Sequence, residues 1–122
     1  MRAVILSAED IKQVQQAAML LEQHIYAPIT VAELCLQVHL SEAKLKKAFK
    51  HFYGIAPYGY LLNLRMKKAK SLLLEGQSNK FIAATLGYQT ESNFCKAFRI
   101  AFDESPKSWM KKRKQSYKLL VS

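Results

Sequence analysis

Apolar residues recur along this chain at spacings of three and four, the period of a helix with one buried face. Ser7 followed by Asp10 is a capping-box pattern, and the apolar series after it predicts a helix that ends near Pro28. That series consists of Ile11, Val14, Ala18, Leu21 and Ile25. No stretch keeps the apolar/polar alternation of a half-buried strand. The pattern therefore predicts an all-α protein.

Capping residues and helix breakers divide the rest of the chain into six more helices, which makes seven. Four of them follow a Ser or Thr at the N-cap, namely Thr30, Ser41, Ser78 and Thr90. The other two begin at Pro57 and Pro106, and the Pro57 helix is the longest, running to about Glu75. Helical spacing also predicts an aromatic core that consists of Phe49, Phe52, Phe98, Phe102 and Trp109.

An internal repeat gives these helices an order. The stretch that begins at Ser41 recurs 49 residues later, where Thr90 replaces Ser41, and it pairs Phe49 with Phe98 and Pro57 with Pro106. Upstream of it the shift is 48 residues, so that Thr30 matches Ser78. Each copy is a short capped helix, a tight turn and a second capped helix, which is the helix-turn-helix pattern. The repeat predicts two helix-turn-helix subdomains joined by the long Pro57 helix.

The second helix of each copy has an apolar side and, opposite to it, a stripe of polar, small and basic residues. In the first copy the stripe is Glu42, Ala43, Lys46, Lys47 and Lys50, and in the second it is Glu91, Ser92, Cys95, Lys96 and Arg99. Such stripes fit the major groove of DNA. We expect the Pro57 helix, about 27 Å long at 1.5 Å per residue, to hold the two stripes in adjacent major-groove segments.

The charge of the chain agrees with a polyanionic partner. Nineteen Lys and Arg residues against nine Asp and Glu give a net charge of +10, which favours nucleic acid first and an acidic membrane surface second. No apolar run reaches the length of a membrane span, and the two cysteines form no disulfide framework, so we expect a soluble cytoplasmic protein. No membrane partner is expected.

Motifs of enzymes and metal sites are missing from the sequence. It contains no glycine-rich phosphate loop, no paired carboxylates and no nucleophile with a neighbouring base, and its three histidines lack the spacing of metal ligands. We expect no enzymatic activity, no cofactor and no metal. A basic helical module that binds an acidic protein or RNA stays open as the alternative to DNA binding.

The sequence resembles the DNA-binding domain of AraC/XylS-type transcription regulators from about Ala8 to Arg113. The most specific match runs from Ile82 to Tyr88 and continues through Ser92-Asn93-Phe94, Lys96-Ala97-Phe98 and Ser105-Pro106. The resemblance implies one AraC-type domain over residues 1–122, with subdomains at 8–55 and 76–122 and a linker helix at 56–75. It also implies sequence-specific promoter binding and, commonly, activation through RNA polymerase.

The resemblance also implies roles for individual residues. Ala43, Lys46 and Lys47 fall where the first recognition helix of the family contacts bases, and the second helix places Glu91, Ser92, Cys95 and Lys96 there. Thr30 and Ser78 begin helices whose N-termini lie near phosphate in this family. Three residues depart from the family pattern. His39 and Asp103 stand where a turn glycine is usual, and Phe81 stands where a polar residue would close the capping box with Ser78. Most members carry an effector or dimerisation domain, so we expect a fragment of a longer regulator, with Val4-Ile5-Leu6 as a cut linker.

Several of these residues also have simpler interpretations. The basic residues of the stripes could form a solvated helix face, or contact phosphate rather than bases. Glu42 and Glu91 could accept from cytosine, or could only favour the first helical turn electrostatically. The basic run at residues 111–114 could be a solvated helix end or a tail that contacts the DNA backbone.

Overall fold

A computed structural model describes residues 6–27 and 29–121 of the chain, the last five as backbone only. Within these ranges the protein has seven α-helices and no strand, which confirms the all-α prediction. The helices are α1 (Ala8–Gln23), α2 (Val31–Val38), α3 (Glu42–Tyr53), α4 (Pro57–Leu74), α5 (Asn79–Thr85), α6 (Glu91–Phe102) and α7 (Pro106–Val121). No helix in the described part is long and apolar enough to cross a membrane.

The helices begin where the capping residues predicted. Thr30, Ser41, Ser78 and Thr90 each accept a hydrogen bond from the backbone N–H three residues later, at 3.0–3.2 Å. Ser7 accepts from the Asp10 amide, and the Asp10 carboxylate accepts from the Ser7 amide in return, so this capping box is complete. Each bond satisfies an amide that has no partner inside its helix.

The end of α1 differs from the prediction. The helix stops at Gln23 rather than near residue 28, because the His24 amide donates to the Leu21 carbonyl and so tightens the last turn. The His24 ring nitrogen Nδ1 also lies 2.7 Å from the Leu20 carbonyl oxygen, which gives this end a second partner. Pro28, the predicted stop signal, lies outside the described residues, as do Val4 and Ile5 of the expected linker.

The chain divides into two compact units within α4, the first ending at Leu64 and the second beginning at Arg65. The core of the first unit comes from α1, α2, α3 and the first half of α4, and includes Val14, Leu21, Leu34, Leu45, Phe49 and Leu61. Buried residues of the second unit include Met66, Ala69, Ile82, Leu86, Phe94 and Phe98. The predicted boundaries at residues 55 and 75 stay a prediction.

The aromatic core was predicted correctly only in part. Phe49 and Phe98 are fully buried, whereas Phe52 is 43% exposed. Tyr53 takes the inward position in the last turn of α3 instead, with its ring 4.7 Å from that of Phe49, one helical turn before it. Phe102 and Trp109 are half-buried, and the Trp109 ring packs 6.2 Å from the Phe98 ring.

Candidate nucleic-acid interface

The turn between the two helices of each unit is built in the same way. After α2, His39 adopts a left-handed backbone (φ 58°), and the next amide, Leu40 N–H, donates back to the Cys35 carbonyl at 3.2 Å. After α5, Gly87 is left-handed (φ 83°), and Tyr88 N–H donates to the Ala83 carbonyl at 2.8 Å. This bond pattern ends a helix and redirects the chain, so each turn sets the start of the following helix, α3 or α6.

α3 presents the predicted stripe to solvent. Its inward residues Leu45, Ala48 and Phe49 are at most 1% exposed. The predicted DNA-contacting residues all lie on the opposite side and are all exposed, namely Glu42, Ala43, Lys46, Lys47 and Lys50. The structure thus brings the five predicted residues together on one accessible face of the first unit.

α6 repeats this arrangement in the second unit. Phe94 and Phe98 are fully buried on its inner side. Of the five predicted residues, Cys95 is half-buried, and the four others are exposed, namely Glu91, Ser92, Lys96 and Arg99. Each unit therefore has a complete stripe of its own.

The two stripes differ in how their charges are paired. On α3 the Lys46 ammonium lies 2.9 Å from the Glu42 carboxylate, one turn away, and this hydrogen bond raises the pKa of Lys46. Glu42 thus has a role that the sequence analysis did not assign, which is to hold Lys46. Among the described residues, Lys47, Lys50, Lys96 and Arg99 form no ion pair. These four cations are available to an external anion.

Cys95 lies on the α6 stripe as a neutral thiol. Partial burial raises its pKa, and the neighbouring Glu91 carboxylate adds to the effect. A protonated thiol is a weak hydrogen-bond donor and a poor nucleophile. This environment fits a small packing contact at an interface better than redox chemistry.

The N-terminal ends of α2 and α5 are where the sequence analysis expected phosphate contacts. The hydroxyl oxygens of Thr30 and Ser78 accept from the Glu33 and Phe81 amides, at 3.1 Å in both cases. The hydroxyl hydrogens stay available as donors. The first amides of any helix also lack intrahelical partners and carry partial positive charge, which favours an anion.

Two residues that position the stripes were missed in the sequence. Lys44, next to the α3 stripe, points away from it and forms a 3.0 Å ion pair with Asp10 of α1. Arg65, only 6% exposed, donates to the Leu86 carbonyl at the end of α5, and its guanidinium lies 4.8 Å from the centre of the Tyr88 ring. Both contacts join residues far apart in sequence, so no local pattern indicates them.

The groups that the described residues offer to a ligand are those of a surface that binds nucleic acid. Among them, no group of three or more His, Cys, Asp and Glu side chains is placed to hold a metal ion. The arrangement instead offers cations, hydroxyls and helix N-termini, which are the groups that bind phosphates and base edges.

Comparison with known proteins agrees with this geometry. Residues 34–112, more than half of the chain, match the protein family described as "Helix-turn-helix domain". The chain is 35% identical over 103 residues to the "Probable transcriptional regulator LumQ" of Photobacterium leiognathi, an alignment that covers 80% of this chain and 42% of LumQ. It thus spans less than half the length of that relative.

Solved structures show the same fold. The C-terminal domain of AraT, a response regulator from Geobacillus stearothermophilus, superposes with a TM-score of 0.76 at 27% identity, covering 89% of this chain and 88% of that one. An AraC-type transcriptional regulator from Chromobacterium violaceum superposes with a TM-score of 0.73 at 26% identity, covering 84% and 92%. The chain belongs to the AraC-type helix-turn-helix family of DNA-binding domains.

Proposed function

We propose that each unit reads DNA with its second helix, so that α3 and α6 enter two adjacent major-groove segments. The observation that supports this is the matched pair of exposed stripes, each held by a capped start and a buried aromatic side. The proposed contacts from α3 are Glu42, Ala43, Lys46, Lys47 and Lys50. Those from α6 are Glu91, Ser92, Cys95, Lys96 and Arg99.

In this proposal, two of the four stripe cations that form no ion pair contact bases and the other two contact phosphate. Lys47 and Lys96 occupy matching positions near the middle of each stripe, where a side chain reaches base edges. Lys50 and Arg99 lie one turn further along their helices and contact phosphate. Thr30 and Ser78, together with the first amides of α2 and α5, hold phosphates on the flanks of each groove.

At the level of the whole protein, we propose that this chain is the DNA-binding part of a longer regulator in the cytoplasm. The full protein would respond to an effector or dimerise through another domain, and would activate transcription through RNA polymerase. The support is the coverage of its relative LumQ, of which this chain matches only 42%.

The test begins with a binding site for this chain. Selection from a pool of random duplexes of about 25 base pairs, followed by sequencing of the tightest binders, gives the preferred sequence. Fluorescence anisotropy then compares the unaltered chain with Lys47→Ala and Lys96→Ala on the preferred and on a random duplex. Each substitution should weaken binding to the preferred site by about 1–3 kcal/mol and relax specificity in one half of it.

The control is Lys12→Ala, because Lys12 is exposed on α1 and belongs to neither stripe. It should leave the discrimination between the two duplexes unchanged. Unchanged affinity in Lys47→Ala or Lys96→Ala would remove that helix from the proposed readers. A uniform loss on both duplexes with a smaller salt dependence would make the lysine a phosphate contact.

A further inference from the structure

The last helix has a charge pattern that the two stripes do not explain. Residues 106–121 contain no Asp or Glu, and residues 111–116 are all exposed. Packing against the rest of the unit comes from the first turns of α7, where Trp109 lies against Phe98. Residues 111–116, the basic part of this helix whose side chains the structure describes, therefore have no buried apolar residue among them.

Two of the cations of α7 already have partners. Lys112 forms a 3.3 Å ion pair with Glu104, and the Arg113 guanidinium lies 5.3 Å from the centre of the Trp109 ring. Lys107, Lys111 and Lys114 are exposed and form no ion pair among the described residues. These three are hereafter called the α7 lysines.

The α7 lysines share one side of the helix. Their spacing of four and then three residues places them in a row about 10 Å long at 1.5 Å per residue, opposite to Trp109. Like charges at these spacings repel each other and disfavour the helix. A linear polyanion along the row would remove that repulsion, and B-DNA presents about one phosphate per 1.7 Å of its axis.

We propose that the α7 lysines form a phosphate-binding surface for duplex DNA, separate from the two stripes and indifferent to base sequence. The inference rests on the proposed function, because it assumes that the second unit binds DNA through α6. In this proposal the three ammonium groups contact phosphates, and phosphate contacts carry no sequence information, so the surface contributes affinity and not specificity.

A membrane surface fits this helix less well than DNA does. A helix that lies on a bilayer needs an apolar side opposite its basic side. Among the side chains of α7 that the structure describes, which end at residue 116, the apolar Trp109 and Met110 are half-buried, and residues 111–116 are all charged or polar. An acidic protein is the remaining alternative, and the experiment below distinguishes it from DNA.

The experiment compares two variants of equal net charge. K111Q/K114Q removes two of the α7 lysines, and K12Q/K67Q removes two exposed lysines of α1 and α4. Glutamine is a good helix former, so both variants should fold, and circular dichroism with thermal unfolding checks this. Anisotropy with the preferred and a random duplex is recorded for both variants and the unaltered chain over a salt series.

K111Q/K114Q should lower the slope of log affinity against log salt by about 1.8, which is 0.9 for each lost phosphate contact. Its affinity for the preferred and the random duplex should fall several-fold by the same factor, so that the ratio between the two stays as in the unaltered chain. K12Q/K67Q should change the slope less. Amide exchange of residues 111–116 should also slow when random duplex is added to the unaltered chain.

Three outcomes would overturn the proposal. Equal salt slopes for K111Q/K114Q and K12Q/K67Q would mean that the net charge of the chain, and not the position of the lysines, determines DNA affinity. If K111Q/K114Q no longer preferred its selected duplex over the random one, α7 would be part of base readout. An unchanged slope and affinity would leave the surface to a partner other than DNA, such as an acidic protein. Failure of the proposed function is distinct from all of these, because the unaltered chain itself would then not discriminate between the duplexes.

Discussion

At the scale of single residues, a left-handed backbone closes both helix-turn-helix turns, but with different side chains. Gly87 occupies this position in the second unit and His39 in the first, with φ values of 83° and 58°. An L-residue in this conformation brings its Cβ close to the following carbonyl oxygen, which glycine avoids. His tolerates the position better than most residues, but does not remove the cost.

His39→Gly should therefore stabilise the first unit, by about 0.5–1 kcal/mol after the greater chain entropy of glycine is deducted. Urea unfolding measures the change. Gly54→Ala is the reverse change in the same unit, because it puts a side chain on a residue with a left-handed backbone. Gly54 has φ 83°, and an added methyl group would meet no atom within 4 Å. It should destabilise by about 1 kcal/mol through conformation alone. If His39→Gly were less stable than the unaltered chain, the contacts of the imidazole would stabilise the fold by more than the left-handed backbone of His39 destabilises it.

At the scale of helices, α1 and α3 are joined by the pair between Asp10 and Lys44. The same carboxylate completes the capping box of α1, so one side chain serves the start of α1 and its attachment to the helix that carries the first stripe. The hydrogen bond from Lys44 and then that from the Ser7 amide hold the pKa of Asp10 below its usual 3.8.

This lowered pKa predicts a pH dependence. A carboxyl group whose pKa is lower in the folded chain stabilises the fold fully above its unfolded pKa, and this contribution is lost as the pH falls through the folded value. Asp10→Asn should therefore be less stable than the unaltered chain at pH 6, with a difference that shrinks below about pH 3.8. Urea midpoints at pH 6, 4 and 3 test it. Glu9→Gln is the control, because it removes one carboxylate at the neighbouring position. If the stability difference between Asp10→Asn and the unaltered chain did not change with pH, the lowered pKa of Asp10 would not be its cause.

The helix starts could be predicted from the sequence because a cap is a bond between residues three apart. Where contacts between distant residues decide, the prediction failed or was silent. Lys44 pairs with Asp10 of another helix, and the inward ring of Tyr53 packs against Tyr60 of α4. The end of α1 at Gln23 was also predicted wrongly, although the bonds that form it are local. In the candidate site, the repeat identified both stripes, yet Arg65 beneath the α5–α6 turn has no signal in the local pattern.

At the scale of the whole molecule, two units with separate cores share one uninterrupted helix. The division falls within α4, which contributes Leu61 to the first core and Met66 and Ala69 to the second. A mutation in one core should thus leave the stripe of the other unit in place. Under the proposed function, the two helices that read DNA would then be joined by a single chain, through α4.

This organisation predicts that the spacing between the two halves of the preferred DNA site is restricted. Inserting five base pairs between them turns one half to the opposite side of the duplex, because B-DNA repeats every 10–10.5 base pairs. Affinity should then fall to that of a duplex in which one half is scrambled, as measured by anisotropy at one salt concentration. A five-base-pair insertion outside the site is the control and should change nothing. Equal affinity for the inner insertion and the intact site would mean that only one of the helices α3 and α6 reads the DNA.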